Sequence, residues 1–296
     1  ENAPFVRQAN WAVSLGHPLR TKEDGTSVSA YCDHEFILSI LEKERCDAVW
    51  PGWGFISEDA QFVAKLEQAG ICFLGPSSKA MSALGDKIAA KYLAEECKVP
   101  LAPWVEWNSD WGTDRLETEA KSIGFPLMVK ASGGGGGRGI RKVHSVDAID
   151  TALQSVVVEV QKFFGQGGIL LEQCIASARH IEVQFAATHH GKAFALGIRD
   201  CSIQRRNQKV IEEAPSPVLP SEVQELLYRS TEELAKRCNY VGVGTAEFLY
   251  QPDTGLCSFL EVNSRLQVEH TITEQITGLD LVQAQILIAQ GVDWEP

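Results

Sequence analysis

The sequence lacks the features of a membrane or secreted protein. No apolar run approaches the length of a membrane-spanning helix, and the first residues, ENAPFVRQAN, do not form a signal peptide. The chain has no internal repeat, and its one low-complexity segment is a run of glycines. We therefore expect a cytoplasmic protein without membrane contact.

Positive charge is scarce, because 27 Lys and Arg residues stand against 39 Asp and Glu residues, for a net charge of −12. Nucleic acid is bound by a basic face, so this balance argues against a nucleic-acid partner. Arg205, Arg206 and Lys209 nevertheless form a local basic cluster, which suits a small anionic ligand.

Paired cysteines are also absent. The eight cysteines are scattered, and no two of them form a CxxC motif. Several lie in apolar, strand-like runs, which favours reduced, buried thiols of a cytosolic protein over a disulfide framework or a zinc site.

The pattern that is present in the first part of the chain is α/β. At 296 residues and 44% hydrophobic, the chain is long enough for two or three domains. We expect helices at 33–43 (capped by Asp33) and 57–68 (capped by Ser57), and parallel strands at 46–50 and 71–74. The first thirty residues show little periodicity, so we expect the first strand–helix unit of this domain to be missing.

A single helix is expected from 78 to 98, before Pro100. Lys87 lies in this helix and, taken alone, would be an ordinary exposed charge. Further helices are expected at 145–164, 221–238 (capped by Ser221) and 280–290.

A glycine run follows in residues 124–143, GFPLMVKASGGGGGRGIRKV, between two apolar strands, the first of which carries Lys130. Glycine permits backbone conformations that let several N–H groups approach an anion. A P-loop or a dinucleotide-binding turn would continue into a helix, whereas 140–143 resembles a strand. We interpret the run as a hairpin flap over phosphates, and the alternative is a flexible linker. Its glycines are Gly133, Gly134, Gly135, Gly136 and Gly137.

Polar side chains alternate in the stretch FLEVNSRLQVEH, residues 259–270. In one extended strand, five of them would share a face. This set comprises Glu261, Asn263, Arg265, Gln267 and Glu269. The alternative is an amphipathic edge strand with a solvated polar face.

A hairpin is predicted from the segments VGVGTAEFLY (241–250) and CSFLEV (257–262). If its loop has five residues, with Gln251 opposite Cys257, then Glu247 lies directly across from Glu261. Opposed carboxylates repel each other, and Mg²⁺ bound to both acids and to Asn263 would remove that repulsion. In the alternative register, shifted by one residue, the two glutamates are staggered apart.

Two further segments are polar where a strand would be apolar. His180, Glu182 and Gln184 share one face of a strand at 180–188, although a histidine in such a position is more often structural than catalytic. The segment RDCSIQRRNQKVI, residues 199–211, lies between apolar strands, which indicates ligand contact.

The motifs occur in the order GDK, VKASGGGGGRG, LEQ, RHIEVQ, RDCSIQRRNQK, TAEF and FLEVNSRLQVEH. Together they resemble the biotin carboxylase component of biotin-dependent carboxylases, of the acyl-CoA or acetyl-CoA carboxylase type, in the ATP-grasp superfamily. The resemblance implies an α/β ATP-grasp fold, with a partial Rossmann-like N-terminal domain (1–75) and a helical linker (76–102). A glycine-flap lid (103–174) and an ATP-grasp core that is truncated at its C-terminal end (175–296) would follow.

The resemblance also implies the chemistry. Such an enzyme uses ATP with Mg²⁺ or Mn²⁺ to convert bicarbonate into carboxyphosphate, and then carboxylates biotin on a carrier domain. The implied partners are the biotin carboxyl carrier domain and a carboxyltransferase domain or subunit, in a homo-oligomer or a multidomain chain.

The implied site residues fall into three groups. Nucleotide contacts would come from Lys87 and Lys130 (phosphates), the glycine flap, Glu172 (near the adenine), His180 and Gln204. The metal would be held by Glu247 and Glu261, with Asn263 beside them. The bicarbonate pocket would comprise Lys209, Arg265, Gln267 and the backbone of Val268, and Glu269 would be the general base.

Two departures from the family pattern matter. Asn207 stands where histidine is commoner, which favours a urea-type or multidomain acyl-CoA subgroup. The first strand and a C-terminal section with an arginine for the biotin enolate are not in this sequence. The alternatives are therefore the biotin carboxylase part of a urea or pyruvate carboxylase, a half of a carbamoyl-phosphate synthetase, and a non-catalytic nucleotide-binding module.

Overall fold

The computed structural model of the chain describes residues 3–22, 24–133, 139–164, 167–206 and 208–296. Gly134, Gly135, Gly136 and Gly137 of the predicted flap, and Asn207, lie outside the described residues. The first elements are short: α1 (Pro4–Gln8), β1 (Leu19–Thr21), β2 (Ser27–Ser29) and then α2 (His34–Lys43). As predicted, Asp33 caps α2, because its side chain accepts a hydrogen bond from the backbone N–H of Phe36.

The predicted parallel pairing is confirmed in the N-terminal unit. Strand β3 (Ala48–Val49) pairs in parallel with β4 (Cys72–Phe73), and α3 (Ala60–Ala69) connects them. The predicted start of α3 is wrong, since Ser57 lies in the preceding 3₁₀ turn, Phe55–Glu58. Asp59 caps the helix instead, by accepting a hydrogen bond from the N–H of Phe62.

The single helix predicted at 78–98 is two helices, α4 (Ser78–Gly85) and α5 (Lys87–Glu96). Asp86 between them has an extended backbone, and its carboxylate accepts hydrogen bonds from the N–H groups of Ile88 and Ala89. Asp86 of the GDK motif therefore ends one helix and caps the next.

A four-stranded antiparallel sheet follows, which we call the lid sheet. Its strands lie in the spatial order β5 (Trp104–Trp107), β8 (Ile169–Gln173), β6 (Leu127–Ala131) and β7 (Ile140–Val143). Apolar side chains of its two helices cover one face, while Lys130 and Glu172 lie on the other. The helix predicted at 145–164 consists of a 3₁₀ turn, an α-helix and a π-helical turn. The elements are β5 (Trp104–Trp107), α6 (Thr113–Ile123), β6 (Leu127–Ala131), β7 (Ile140–Val143), α7 (Ile149–Glu159) and β8 (Ile169–Gln173).

The largest sheet, which we call the core sheet, has five antiparallel strands in the order β11-β10-β9-β12-β13. One face is apolar and packs against α5 and α8; the polar face packs partly against α9 and α10. The predicted cap Ser221 is the first residue of α8, and Pro220 precedes it. The elements are β9 (Arg179–Ala187), β10 (Ala193–Arg205), β11 (Gln208–Glu213), α8 (Ser221–Arg237), β12 (Gly242–Gln251), β13 (Leu256–Asn263), α9 (His270–Thr277) and α10 (Leu281–Ala289).

The hairpin of β12 and β13 contains a β-bulge at Leu260. Gln251 pairs with Leu256, so the loop has one residue fewer than predicted. Phe248 pairs with Phe259, but the next pair is Glu247 with Glu261, so Leu260 is the extra residue. The bulge therefore restores the predicted pairing of the two glutamates and places Phe259 and Glu261 on opposite faces.

The continuous strand predicted from 259 to 270 is wrong. Strand β13 ends at Asn263, and residues 264–269 form a turn that leads into α9. The N–H of Ser264 donates to Glu58 rather than to a strand, and Leu266 packs among apolar residues of α10. Arg265, Gln267 and Glu269 thus project from the turn.

Among the helices of the described ranges, none has both the length and the apolar character needed to cross a lipid bilayer.

Candidate functional site

Three glutamates form a row across the polar face of the core sheet. Glu182 on β9 pairs with Glu247 on β12, and Glu247 also pairs with Glu261 on β13. Glu182 and Glu247 are buried, whereas Glu261 is partly exposed. Because opposed carboxylates repel each other, such a row requires cations beside it.

Lys209 on β11 is the cation that contacts most of these acids. It contacts Glu182, and its Nζ atom lies 3.1 Å from Oε1 of Glu247 and 2.9 Å from Oε1 of Glu269. Burial disfavours its charge, but the carboxylates of Glu247 and Glu182 raise the pKa of Lys209 above its usual value. Lys209 is therefore a constant positive charge that joins the core sheet to the turn before α9.

His180 contacts the other oxygen of Glu247. Its Nε2 atom lies 2.8 Å from Oε2 of Glu247, and the amide of Gln204 lies 2.9 Å from its Nδ1 atom. Burial would lower the pKa of His180, but the hydrogen bond and the charge of Glu247 raise it. Burial would raise the pKa of Glu247, but His180 and Lys209 hold it well below its usual range. His180 and Gln204 therefore lie beside the row of acids.

Arg199 and Glu182 are site residues to which sequence reasoning gave no role. Arg199 is 0% exposed, and its Nε and Nη2 atoms donate to Oε2 of Glu182 at 3.1 and 3.0 Å. Its segment was predicted to contact a ligand, but Arg199 is buried and donates its hydrogen bonds to side chains of the protein. The sequence signal that could have identified Glu182 is its position on the same strand face as His180. The other acceptors of Arg199 are Gln184, Thr245, Gln267 and Thr273.

The turn at 264–269 adds three of the predicted residues. The Gln267 amide accepts a hydrogen bond from Arg199 at 2.7 Å, and its Nε2 atom lies 3.3 Å from Oε1 of Glu247. Glu269 immediately precedes α9; burial would raise its pKa, but Lys209 lowers it. The side chain of Val268 is exposed. The turn therefore presents an ionised carboxylate and an oriented amide next to Lys209.

Arg265 is oriented by the N-terminal unit. Its Nε atom donates to Oε2 of Glu58 at 2.8 Å, and the other oxygen of Glu58 accepts the N–H of Ser264 at 3.0 Å. The guanidinium lies at the surface of the site, not in the apolar interior. Glu58 is a further residue that sequence reasoning missed.

The lid sheet and α5 supply the lysines. Nζ of Lys87 lies 3.4 Å from Oε2 of Glu261, so Lys87 is placed beside the row of acids. Lys130 instead contacts Glu172, which Lys91 of α5 also contacts. The exposed Gly133 follows closely after Lys130 on the chain. The predicted phosphate lysines therefore lie in two neighbouring clusters rather than in one.

Glu247, Glu261 and Asn263 fit a hard cation such as Mg²⁺. Glu247 and Glu261 are directly paired on two strands, and Asn263 donates its Nδ2–H to Glu247 at 2.7 Å. The oxygen of Asn263 lies 3.5 Å from Nη2 of Arg265, from which it accepts a long hydrogen bond. A second set of donors, His180 with Glu182 and Glu247, lies within 4.8 Å. Both sets share Glu247, which Lys209 contacts. Glu182 of the second set is buried and is also held by Lys209 and Arg199, whereas Glu261 of the first set is partly exposed, so the first set is more accessible to a divalent cation.

This arrangement can hold a polyanion beside a small oxyanion. Two groups of donors lie beside the candidate cation ligands. Lys87 is near Glu261, and the second group, Lys209, Gln267 and Arg265, contacts Glu247 or Asn263. An ionised carboxylate, Glu269, stands next to the second group. Such a site provides the positioning and charge neutralisation that phosphoryl transfer requires.

Known family models match most of the chain. The model described as "Carbamoyl-phosphate synthase L chain, ATP binding domain" matches residues 86–295, and "Biotin carboxylase, N-terminal domain" matches residues 1–81.

Similar curated proteins carry several names. The biotin carboxylase of a Nostoc species is 41% identical over 290 residues, 98% of this chain and 63% of the relative. Pyruvate carboxylase 1 of Caenorhabditis elegans is 45% identical over 264 residues, 89% of this chain and 22% of the relative. Acetyl-CoA carboxylase 1 of Arabidopsis thaliana is 40% identical over 311 residues, 98% of this chain and 13% of the relative.

Solved structures agree with the fold. The biotin carboxylase β-γ-ATP complex of Campylobacter jejuni has a TM-score of 0.85 at 37% identity, covering 90% of this chain and 59% of that one. The biotin carboxylase domain of 2-oxoglutarate carboxylase from Hydrogenobacter thermophilus, in complex with MgADP, ADP and bicarbonate, has the same score and coverage at 38% identity. The chain thus spans less than two thirds of the proteins it matches. Both family models and these structures place the chain in the biotin carboxylase family of the ATP-grasp superfamily.

Proposed function

We propose that this chain carries the ATP- and bicarbonate-dependent carboxylation of biotin, the first half-reaction of a biotin-dependent carboxylase. The observation that supports it most is the position of Lys209, which links the metal-site acid Glu247 to the base Glu269. A site of this kind holds the cation, the anion and the proton acceptor of one reaction within a few ångströms.

ATP is proposed to bind between the lid sheet and the core sheet. Lys87 and Lys130 would hold its phosphates, and the glycine run would cover them with backbone N–H groups. Glu172, His180 and Gln204 are the remaining proposed nucleotide contacts. The position of Lys87 beside Glu261 supports this assignment, because phosphates and the cation would share that space.

Bicarbonate is proposed to lie between Arg265 and Lys209, with the Gln267 amide and the Val268 backbone completing the pocket. Arg265 offers a planar fork of donors that matches an oxyanion. Its contacts support this role, because Nε donates to Glu58 and Nη2 to Asn263, so the guanidinium is held next to the proposed metal ligands.

Glu269 is the proposed general base. It would take the proton of bicarbonate while a bicarbonate oxygen forms a bond to the γ-phosphorus and the bond from that phosphorus to ADP breaks. The products of this step are ADP and carboxyphosphate. Its carboxyl group would pass to a ureido nitrogen of biotin as the bond from carbon to the phosphate oxygen breaks, and the departing phosphate would take the proton of that nitrogen. The ionised state of Glu269 at neutral pH supports this role, because only the carboxylate can accept a proton, while the contact with Lys209 that lowers its pKa also makes it a weaker base.

Glu247 and Glu261, with Asn263, would hold Mg²⁺ or Mn²⁺, which supplies charge neutralisation between the phosphates when bound. The buried partners of Glu247 keep one acid fixed, while the more exposed Glu261 can adjust.

The final acceptor is proposed to be an acyl-CoA. The Arabidopsis relative supports this finer assignment, and the C. elegans relative favours pyruvate. Asn207 fits a urea-type as well as a multidomain acyl-CoA subgroup. The proposed partners are a biotin carboxyl carrier domain and a carboxyltransferase domain or subunit, in a homo-oligomer or multidomain chain. Assays of carboxyl transfer to acetyl-CoA, urea and pyruvate by the assembled enzyme separate the acceptors.

The proposed organisation is an N-terminal domain (1–75), a helical linker (76–102), a lid (103–174) and a core (175–296). The positions of the lid sheet and the core sheet support these boundaries. A cytoplasmic location is proposed because all eight cysteines are free thiols.

The test of the activity is ATP cleavage by the purified protein with and without bicarbonate. We expect release of ADP to depend on bicarbonate and to increase with free biotin. Equal hydrolysis in the two conditions would overturn the proposal.

Glu269→Gln distinguishes the enzyme from a non-catalytic nucleotide-binding module. The variant should lose bicarbonate-dependent turnover and bind MgADP nearly as well as the parent protein. A parent protein that binds MgADP but shows no bicarbonate-dependent turnover would favour the module.

A further inference from the structure

Glu172 lies on the inner face of the lid sheet, where two lysines share its carboxylate. Nζ of Lys91 lies 2.5 Å from Oε1, and Nζ of Lys130 lies 2.6 Å from Oε2. Lys91 comes from the middle of α5, 81 positions away in the sequence, whereas Lys130 comes from the neighbouring strand β6. Each oxygen of one buried acid therefore has its own cation.

This cluster holds more positive than negative charge. Glu172 is 4% exposed, Lys91 2% and Lys130 9%, so two ammonium groups face a single carboxylate away from water. Burial lowers the pKa of Lys91, Glu172 opposes this effect, Lys130 lowers the pKa further, and the more distant charge of Glu95 raises it. A buried excess of one positive charge is relieved when an anion is bound nearby.

The two lysines differ in their freedom to reach such an anion. Lys91 is surrounded by protein and lies 5.6 Å from the centre of the Trp104 ring, on β5. Lys130 lies near the end of β6, and the glycine run begins soon after it at Gly133. Ser132, between them, accepts the backbone N–H of Lys87 at 3.1 Å, which places the other proposed phosphate lysine at the same end of the strand.

We propose that Lys91 is a positioning residue that keeps Glu172 neutralised while Lys130 leaves that carboxylate to bind a polyphosphate. This inference rests on the proposed function, because it takes Lys130 as a phosphate ligand. Glu172 then changes from two cationic partners to one and is never left as an unpaired buried charge. Before the nucleotide binds, the cluster of Lys91, Lys130 and Glu172 has one excess positive charge, and this charge attracts the phosphates.

The consequence concerns binding energy. Without Lys91, Lys130 is the one lysine among the described residues that contacts Glu172, so its transfer to the nucleotide leaves a buried carboxylate unpaired. The unfavourable free energy of this unpaired carboxylate weakens nucleotide binding. We expect Lys91→Met to raise the Kd of an ATP analogue by about 10- to 100-fold.

The experiment is calorimetric titration of the purified protein with the non-hydrolysable analogue AMPPNP and Mg²⁺. Four proteins are compared: the parent, Lys91→Met, Lys130→Met and the double variant. Thermal unfolding establishes that each is folded at the titration temperature. Lys91→Arg, which keeps the charge, is the matched control and should bind within about threefold of the parent.

The expected result is that Lys91→Met raises Kd strongly when Lys130 is present, and by less than about twofold when Lys130 is already methionine. In the Lys130→Met background no lysine leaves Glu172 when AMPPNP binds, so the presence of Lys91 no longer affects the Kd of AMPPNP. A purely structural role for Lys91 predicts equal losses in both backgrounds, and that result would overturn the proposal. Unchanged affinity of Lys91→Met, or a tenfold loss in Lys91→Arg, would overturn it as well.

Failure of the underlying assignment is recognised separately. If Lys130→Met binds AMPPNP as tightly as the parent, Lys130 is not a phosphate ligand, and both the assignment and the inference fall. If Lys130→Met loses affinity while Lys91→Met does not, the assignment stands and only the inference is wrong.

Discussion

Glu58 and Arg265, 207 positions apart, form an ion pair that joins the N-terminal unit to the turn of the core sheet. The same carboxylate accepts the N–H of Ser264, so it fixes both the backbone of the turn and the guanidinium that it carries. The proposed bicarbonate ligand is thus oriented by a residue from another part of the chain.

Glu58→Gln should weaken the use of bicarbonate more than the use of ATP. The amide keeps the shape of the carboxylate but loses the charge that orients Arg265. Since a hydrogen bond to a charged group contributes about 1.5–3 kcal/mol, we expect kcat/KM for bicarbonate to fall about 10- to 150-fold. Steady-state ATP cleavage at varied bicarbonate measures this.

The control is Glu35→Gln, which removes an exposed ion pair with Lys65 in the same N-terminal unit. This variant should leave kcat/KM for ATP and kcat/KM for bicarbonate unchanged. Equal losses for ATP and bicarbonate in Glu58→Gln would contradict an orienting role for Glu58.

Lys209→Met should destabilise the protein. The change leaves Glu182, Glu247 and Glu269 without a shared cation, which we expect to cost about 2–4 kcal/mol in unfolding free energy. Adding Glu182→Gln should recover part of this stability, because one of the opposed acids is removed, but not the turnover. Urea unfolding of both variants tests this.

Lys236→Met is the matched control, since this exposed lysine contacts only Glu232 among the ion pairs of the described residues. It should change stability by less than about 0.5 kcal/mol. A double variant less stable than Lys209→Met would show that the ion pair of Glu182 with Arg199 stabilises the protein more than the repulsion between Glu182 and Glu247 destabilises it.

Glu261→Gln should weaken metal binding without changing the stability of the unliganded protein. Glu261 is partly exposed, so the unliganded variant should unfold within about 1 °C of the parent. Stabilisation by MgADP, about 2.7 kcal/mol at a ligand concentration of 100 Kd, should be largely lost. Thermal unfolding with ADP, in the presence and absence of Mg²⁺, measures both effects. A full Mg²⁺-dependent shift in the variant would exclude Glu261 as a ligand.

Asp200 should contribute stability that depends on pH. Burial would raise its pKa, but hydrogen bonds from Arg179 and Ser202 lower it below its usual value. Because the folded pKa is lower than the unfolded one, the contribution is complete above the unfolded pKa of about 3.9 and declines as pH falls below it. Asp200→Asn should therefore be less stable by about 1–3 kcal/mol at pH 7, and the difference should shrink below about pH 4.

Urea unfolding of parent and variant from pH 7 to pH 3 measures this difference. Asp253→Asn, in the exposed hairpin loop, is the control and should match the parent throughout. A difference that stays constant to pH 3 would contradict the role given to Asp200.

Local patterns predicted the parts of the fold that depend on local physics. The α/β alternation gave the parallel pair of strands, and the capping of α2 follows from Asp33 alone. Pairing of Glu247 with Glu261 was predicted from an incorrect loop length. In a regular strand Phe259 and Glu261, two residues apart, would lie on the same face. An apolar and an acidic side chain do not both fit an apolar or a polar face, and this conflict indicates a bulge between them.

The remaining site residues depend on long-range contacts that no local pattern encodes. Lys91 looks like an exposed helix charge until its partner, 81 residues away, is known. The alternation after Asn263 resembles a strand, but contacts of Ser264 with Glu58 and of Leu266 with α10 make it a turn. Tertiary structure overrides the period of the sequence at these positions.

The bulge at Leu260 separates the hairpin tip from the acids. Register is held on the acid side by the pairing of Glu247 with Glu261 and on the other by Phe248 with Phe259, so the tip itself is not needed to align the two carboxylates. New chain ends placed in the exposed tip, as in a circular permutant opened between Asp253 and Thr254, should therefore leave the metal-binding acids in alignment.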